Sequence, residues 1–155
     1  MTIIVPFDLR YEFDVKASPE DVFALLADVP TSASHLPKLA KLVDLGEQVY
    51  RWEMKRIGTA QMSVQTIYAC KYLSDSKKMT VMWSPVKGVG NALIGGSWTI
   101  GKKKSGSHLV LETSGELHVA LPGLMKAIVT PMILTENELL ITTYINSLTK
   151  HFGGK

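Results

Sequence analysis

Cysteine is nearly missing from this chain. Cys70 stands alone among 155 residues, which excludes an internal disulfide and suits a reducing compartment. Long hydrophobic runs are missing too: none approaches the roughly 20 residues that cross a bilayer, so no integral membrane segment is expected. The opening MTIIVP has neither the basic stretch nor the long apolar core of a secretory signal, and the expected location is cytoplasmic. Nor does one sign of charge dominate. With 17 basic residues against 14 acidic ones, the net charge of +3 provides no field for nucleic acid. Only Lys102-Lys103-Lys104 is locally dense, and Ser105-Gly106-Ser107 behind it marks a solvated hairpin tip, where lysine discourages edge-to-edge pairing.

Motifs for metals and nucleotides are likewise wanting. His35, His108, His118 and His151 show no paired ligand spacing, so neither a metal nor another cofactor is expected. None of them lies near Cys70 in sequence, which leaves Cys70 as a buried structural thiol rather than a nucleophile. The run from Gly90 to Ser97 approaches a phosphate loop but has Gly96 where a lysine must reach the phosphates. It also leads into a strand instead of a helix, so Gly95-Gly96 is expected to be a bend or bulge.

What is present is a regular alternation of strands. In residues 9–16, Tyr11, Phe13 and Val15 share one face while Arg10, Glu12, Asp14 and Lys16 share the other. Ser18-Pro19-Glu20-Asp21 then supplies an N-cap, a proline at the first helical position and first-turn acids. This helix should stop before Pro30, with a short second helix ending at Pro37. Strands follow over residues 41–45, 49–57, 61–72, 78–86, 91–101 and 108–121, separated by turn compositions such as Ser74-Asp75-Ser76-Lys77. No composition shift divides residues 1–155, so a single domain is expected.

After Pro122-Gly123 the pattern becomes helical as far as His151. Before Pro131 the apolar stripe reads Met125, Ile128, Val129 and Met132; after it, Leu134, Ile141, Tyr144, Ile145, Leu148 and Phe152. At 100° per residue these stripes fall on nearly opposite sides, so one long helix bent near Pro131 is expected, with Thr135-Glu136-Asn137-Glu138 as a restart signal. Residues 124–134 would then form a lid over a cavity.

Strand, capped helix, short helix, about six further antiparallel strands and a long terminal helix is an order that resembles the START-like superfamily. That superfamily includes plant pathogenesis-related proteins and aromatic polyketide cyclases. The local resemblance lies in residues 15–28 (VKASPEDVFALLAD), in residues 96–100 (GSWTI) and in Leu121-Pro122. It implies an α+β helix-grip fold: an antiparallel sheet of six to seven strands wrapped around the terminal helix, with two short helices after the first strand. It also implies a cavity for a small apolar molecule, with chemistry in only some members.

The candidate lining follows from residue types suited to such a cavity. Tyr11 and Phe13 come from the first strand, and Trp52, Met54, Met62 and Tyr68 from the middle strands. Met82, Trp83 and Trp98 follow, then Met125, Ile128, Met132 and Tyr144 from the terminal helix. Methionine adapts to variable guests, while tyrosine and tryptophan bring a polar tip to an apolar wall. Three readings stand open. One is a binding module for a lipid- or polyketide-like molecule. Another is a cyclase or dehydratase using Tyr50, Tyr68, Tyr144 or His118 for proton transfer. The third is a homodimeric interaction protein in which the cavity is incidental. Glu112, Glu116 and His118 share the strand face opposite Leu109, Leu111 and Leu117, which assigns them to the solvated side.

Overall fold

The computed structural model describes residues 2–59 and 62–154. The first strand, β1 (Ile3–Val15), starts well before the expected position and pairs residue by residue with the last, from Ile3↔Val119 to Val15↔Ser107. Pro6 argues against a strand only in a sheet interior. Here β1 is an edge, and a proline can leave the ladder unharmed on the outer side.

Helix α1 (Pro19–Ala27) is capped as its sequence dictates, the Ser18 hydroxyl accepting from the Asp21 amide at 3.2 Å. Asp28 then caps α2 (Val29–Ala33), whose first turn contains Pro30. The first helix thus stops before Pro30 as expected, and the proline sits in the opening turn of the second.

A hairpin of β2 (Leu39–Gly46) and β3 (Val49–Met54) follows, then a small ribbon of β4 (Ile57–Gly58) and β5 (Ser63–Val64). The expected start of the next strand at Gln61 lies outside the described residues. Strands β6 (Ile67–Asp75), β7 (Thr80–Pro85), β8 (Ala92–Lys103) and β9 (Gly106–Val119) continue as a meander. The antiparallel sheet has seven strands in the order β1-β9-β8-β7-β6-β3-β2. No bulge occurs at Gly95-Gly96: β8 stays in register with β9 from Ala92↔Leu117 to Lys103↔Gly106.

Glycine at position 96 has a different cause. A Cβ there would collide with the Glu112 backbone carbonyl of β9 and would stand 2.7 Å from the Trp83 indole, opposite it in the ladder with β7. The missing side chain is the seat of that ring.

After a 3-10 turn (Gly123–Met125), α3 (Lys126–His151) runs through Pro131 without a break, so no restart occurs at Thr135. Its buried positions, Val129, Ile133, Tyr144, Ile145 and Leu148, form one drifting seam and not two opposed stripes. Ile133 carries the seam through the proline turn, while Ile128 turns outward. The seam pins α3 at both ends. Val129 and Ile133 pack with Ile3, Val5, Leu117 and Val119; Tyr144, Ile145, Leu148 and Phe152 pack with Val15, Val22, Leu26, Trp98 and Leu109. For roughly three turns between Ile133 and Tyr144, α3 has no fully buried residue. No helix here is long and apolar enough to cross a membrane, among the described residues.

Candidate functional site

Below that lifted stretch of α3 lie two adjoining cavities. The first, about 90 Å³, is bounded by α1, α2, α3 and the inner face of the sheet. The second, about 100 Å³, lies between α3, β1 and the start of β6. Tyr68, Ile94, Thr113 and Ile141 line both and form the wall between them.

The first cavity is aromatic. Trp52 and Tyr68, cross-strand neighbours on β3 and β6, stand parallel with ring centroids 6.0 Å apart. Tyr72 and Trp83 lie next to each other at 6.0 Å, and Trp98 meets Tyr144 at 6.2 Å. Across the cavity, the Ser32 and Tyr144 hydroxyls share a buried hydrogen bond of 2.5 Å that ties α2 to α3. Thr113 Oγ1 donates to the Gly95 carbonyl at 3.4 Å. The Trp52 Nε1–H is buried without a partner: it lies beside the Tyr72 hydroxyl and favours its ionised form slightly, outside hydrogen-bond geometry.

Electrostatically this cavity is neutral. Its lining contains no Asp, Glu, His, Lys or Arg. Burial pushes the Tyr144 phenol up to about 12 and raises Tyr68 and Tyr72 well above the ordinary value. All three are therefore protonated donors at neutral pH. Cys70, between the two latter tyrosines on β6, is pushed by burial to about 12 and donates to the Ile94 carbonyl at 3.1 Å. It is an inert thiol in this environment.

The second cavity has an apolar floor of Phe7, Leu9, Met54, Val64 and Leu140, and a charged rim. There Lys38 pairs with Glu136 at 2.7 Å, beside Lys55 and Asn137.

The expected lining residues divide clearly. Trp52, Tyr68, Trp83, Trp98 and Tyr144 line the first cavity, and Met54 lines the second. Tyr11 and Phe13 pack against the carboxy-terminal part of the core, Phe13 edge-on to Trp98. Met62, Met125 and Met132 pack against the other end of the core, around Val129 and Ile133 of α3. Two assignments are corrected. Met82 is 51% exposed because its neighbours Val81 and Trp83 take the inner face of β7, and a strand cannot turn adjacent side chains the same way. Ile128 is 58% exposed because Val129 holds the seam.

The lid expectation shifts as well, since none of residues 124–134 lines either cavity. The rim residues are Lys38, Lys55 and Glu136. Tyr72, missed above, carries a signal in the alternation Tyr68, Cys70, Tyr72; Ser32 and Thr113 carry none. Leu109, Leu111 and Leu117 are buried, and on the opposite face of β9 His118 Nε2 meets Glu116 at 2.8 Å. Tyr50 packs beside Tyr72 under α2 and lines neither cavity. Among the described residues, no cluster of His, Cys, Asp or Glu is placed to hold a metal ion.

No protein-family model matches the sequence, and no curated protein matches it. Solved structures do. An aromatase/cyclase from a Streptomyces species is similar at a TM-score of 0.69 and 14% identity, covering 96% of this chain and 94% of that one. A START superfamily protein from Mycobacterium smegmatis is similar at 0.69 and 11%, covering 94% and 97%. Norcoclaurine synthase from Thalictrum flavum, in complex with dopamine and hydroxybenzaldehyde, is similar at 0.58 and 19%, covering 98% and 91%. At these identities the likeness is one of fold. With its seven-stranded sheet, two short helices and long terminal helix, the chain has the helix-grip fold of the START-like superfamily.

Proposed function

We propose that the protein binds a small, uncharged aromatic molecule between the sheet and α3 and holds it without a chemical step, in the cytoplasm. The observation that carries this reading is the pair of adjoining cavities beneath the lifted turns of α3, the first walled by Trp52, Tyr68, Tyr72, Trp83 and Trp98. Size narrows the guest. A dry cavity of roughly 150 Å³ holds benzene, and each chamber here is smaller, at about 90 and 100 Å³. Rotation of Ile141 or Tyr68 would join them into room for one substituted ring, not for a fused polycycle. One fold neighbour, norcoclaurine synthase, was crystallised with dopamine and hydroxybenzaldehyde, both single-ring compounds, which supports that scale.

A cyclase or dehydratase reading has less behind it. Proton transfer near neutral pH needs a group that titrates there, and burial holds the tyrosines of the first cavity in their protonated form.

Thermal unfolding against a panel of neutral aromatics tests the proposal. At a ligand concentration a hundredfold above Kd the stabilisation is about 2.7 kcal/mol, or roughly 5–10 °C for a chain of this size. Single-ring compounds should give such shifts and fused tricyclic ones should not. A panel without a single shift, together with native mass spectra free of bound molecules, would refute it.

A further inference from the structure

Trp52 is buried to 93% on the inner face of β3, and its parallel stacking on Tyr68 fixes the plane of the indole. Its Nε1–H is shielded from solvent and has no partner, although the residue lines the first cavity. An indole N–H is a donor only, so another donor cannot satisfy it. The hydroxyls of the cavity do not complete this bond: Ser32 and Tyr144 hydrogen-bond each other, Thr113 donates to the Gly95 carbonyl, and Tyr72, although close enough to feel the indole N–H, does not meet it in full hydrogen-bond geometry. A buried donor left unpaired is costly, which is why native interiors seldom keep one. The shortfall at Trp52 is one of an acceptor.

We infer that the ligand of the first cavity is an uncharged aromatic compound carrying a carbonyl or ether oxygen, which accepts the Trp52 Nε1–H. The inference rests on the binding reading above and adds the chemistry that selects the guest. Charged acceptors are excluded by the lining, which offers a carboxylate no counter-ion. Shape alone would not distinguish a carbonyl from a vinylidene group of the same outline. The indole N–H does, because only oxygen completes its hydrogen bond.

Acetophenone and α-methylstyrene, near-isosteres that differ in C=O against C=CH2, provide the test. The wild-type protein should bind acetophenone on the order of tenfold more tightly, the ratio one hydrogen bond supports. Trp52→Phe should bring the ratio of the two affinities close to one, whatever the reshaped wall does to each affinity separately. A second measurement needs no variant of Trp52. The chain has three tryptophans, and Trp83→Phe and Trp98→Phe identify their indole N–H resonances and leave that of Trp52 by elimination. In the wild type this resonance should lie further downfield with acetophenone than with α-methylstyrene, because the two guests share the same ring current and only the first accepts the hydrogen bond. Equal affinities, or an acceptor preference that survives Trp52→Phe, would overturn the inference and leave the cavity reading intact. Failure of both probes to bind, together with an empty aromatic panel, would overturn both.

Discussion

Removing the Tyr144 hydroxyl tests how the first cavity is held shut. Ser32 Oγ and Tyr144 Oη lie 2.5 Å apart although 112 residues separate them, so their bond is a direct tie between α2 and α3. Both residues are buried, at 7% and 9% exposure, so bulk water cannot replace a lost partner freely. Tyr144→Phe leaves the serine oxygen without a partner, a desolvation cost of about 1–3 kcal/mol. For a chain of 155 residues that is a fall in Tm of roughly 2–10 °C. Ser32→Ala orphans the tyrosine hydroxyl at a similar cost. The double variant replaces both polar groups by apolar ones, so its loss should be clearly smaller than the two single losses added, with a coupling of about 1–2 kcal/mol. Urea unfolding of the four proteins, with m-values compared to verify two-state behaviour, measures the cycle. Strict additivity, or single losses below about 0.5 kcal/mol, would show that the two hydroxyls do not depend on each other and would refute the reasoning.

Gly96→Ala should cost about 1–3 kcal/mol by overpacking, because the new methyl would collide with the Glu112 carbonyl and meet the Trp83 ring at 2.7 Å; near-UV circular dichroism should change with it, and an unaltered spectrum and Tm would count against the seat. Stability should fall at alkaline pH. The native state holds the Cys70 and Tyr144 protons up to about 12, whereas unfolded cysteine and tyrosine release theirs near 9.0 and 10.0. The associated stability is therefore complete below pH 9 and is lost as pH rises toward 12, by about 1–2 kcal/mol near pH 10.5 from Cys70 alone. Urea midpoints across this range should flatten in Cys70→Ala, and identical slopes would contradict the assignment. Glu136→Gln breaks the rim ion pair with Lys38, whose side chain is 46% exposed, so it should cost less than about 1 kcal/mol while speeding probe entry to the second cavity in stopped-flow mixing. An unchanged entry rate would place the entrance elsewhere.

Local patterns in the chain determined most of the architecture, because they depend on neighbours a few residues away. Ser18-Pro19 caps α1 wherever that helix is placed, and alternation sent Leu109, Leu111 and Leu117 inward and Glu116 and His118 outward without reference to the rest of the fold. The same alternation would have placed Tyr72 beside Tyr68, and would have shown that Met82 and Trp83 cannot share a face. The start of β1 was obscured by Pro6, since only the strand order reveals that this proline sits at an edge.

Tertiary structure alone decided the site. Whether α3 packs or lifts between Ile133 and Tyr144 depends on what the sheet presents beneath it, and a helical stripe read at 100° per residue contains no such information. The meeting of Ser32 with Tyr144, and the lone N–H of Trp52, are pairings over long sequence separation or failures to pair. No local rule encodes them, because a hydrogen bond is satisfied in space and not along the chain.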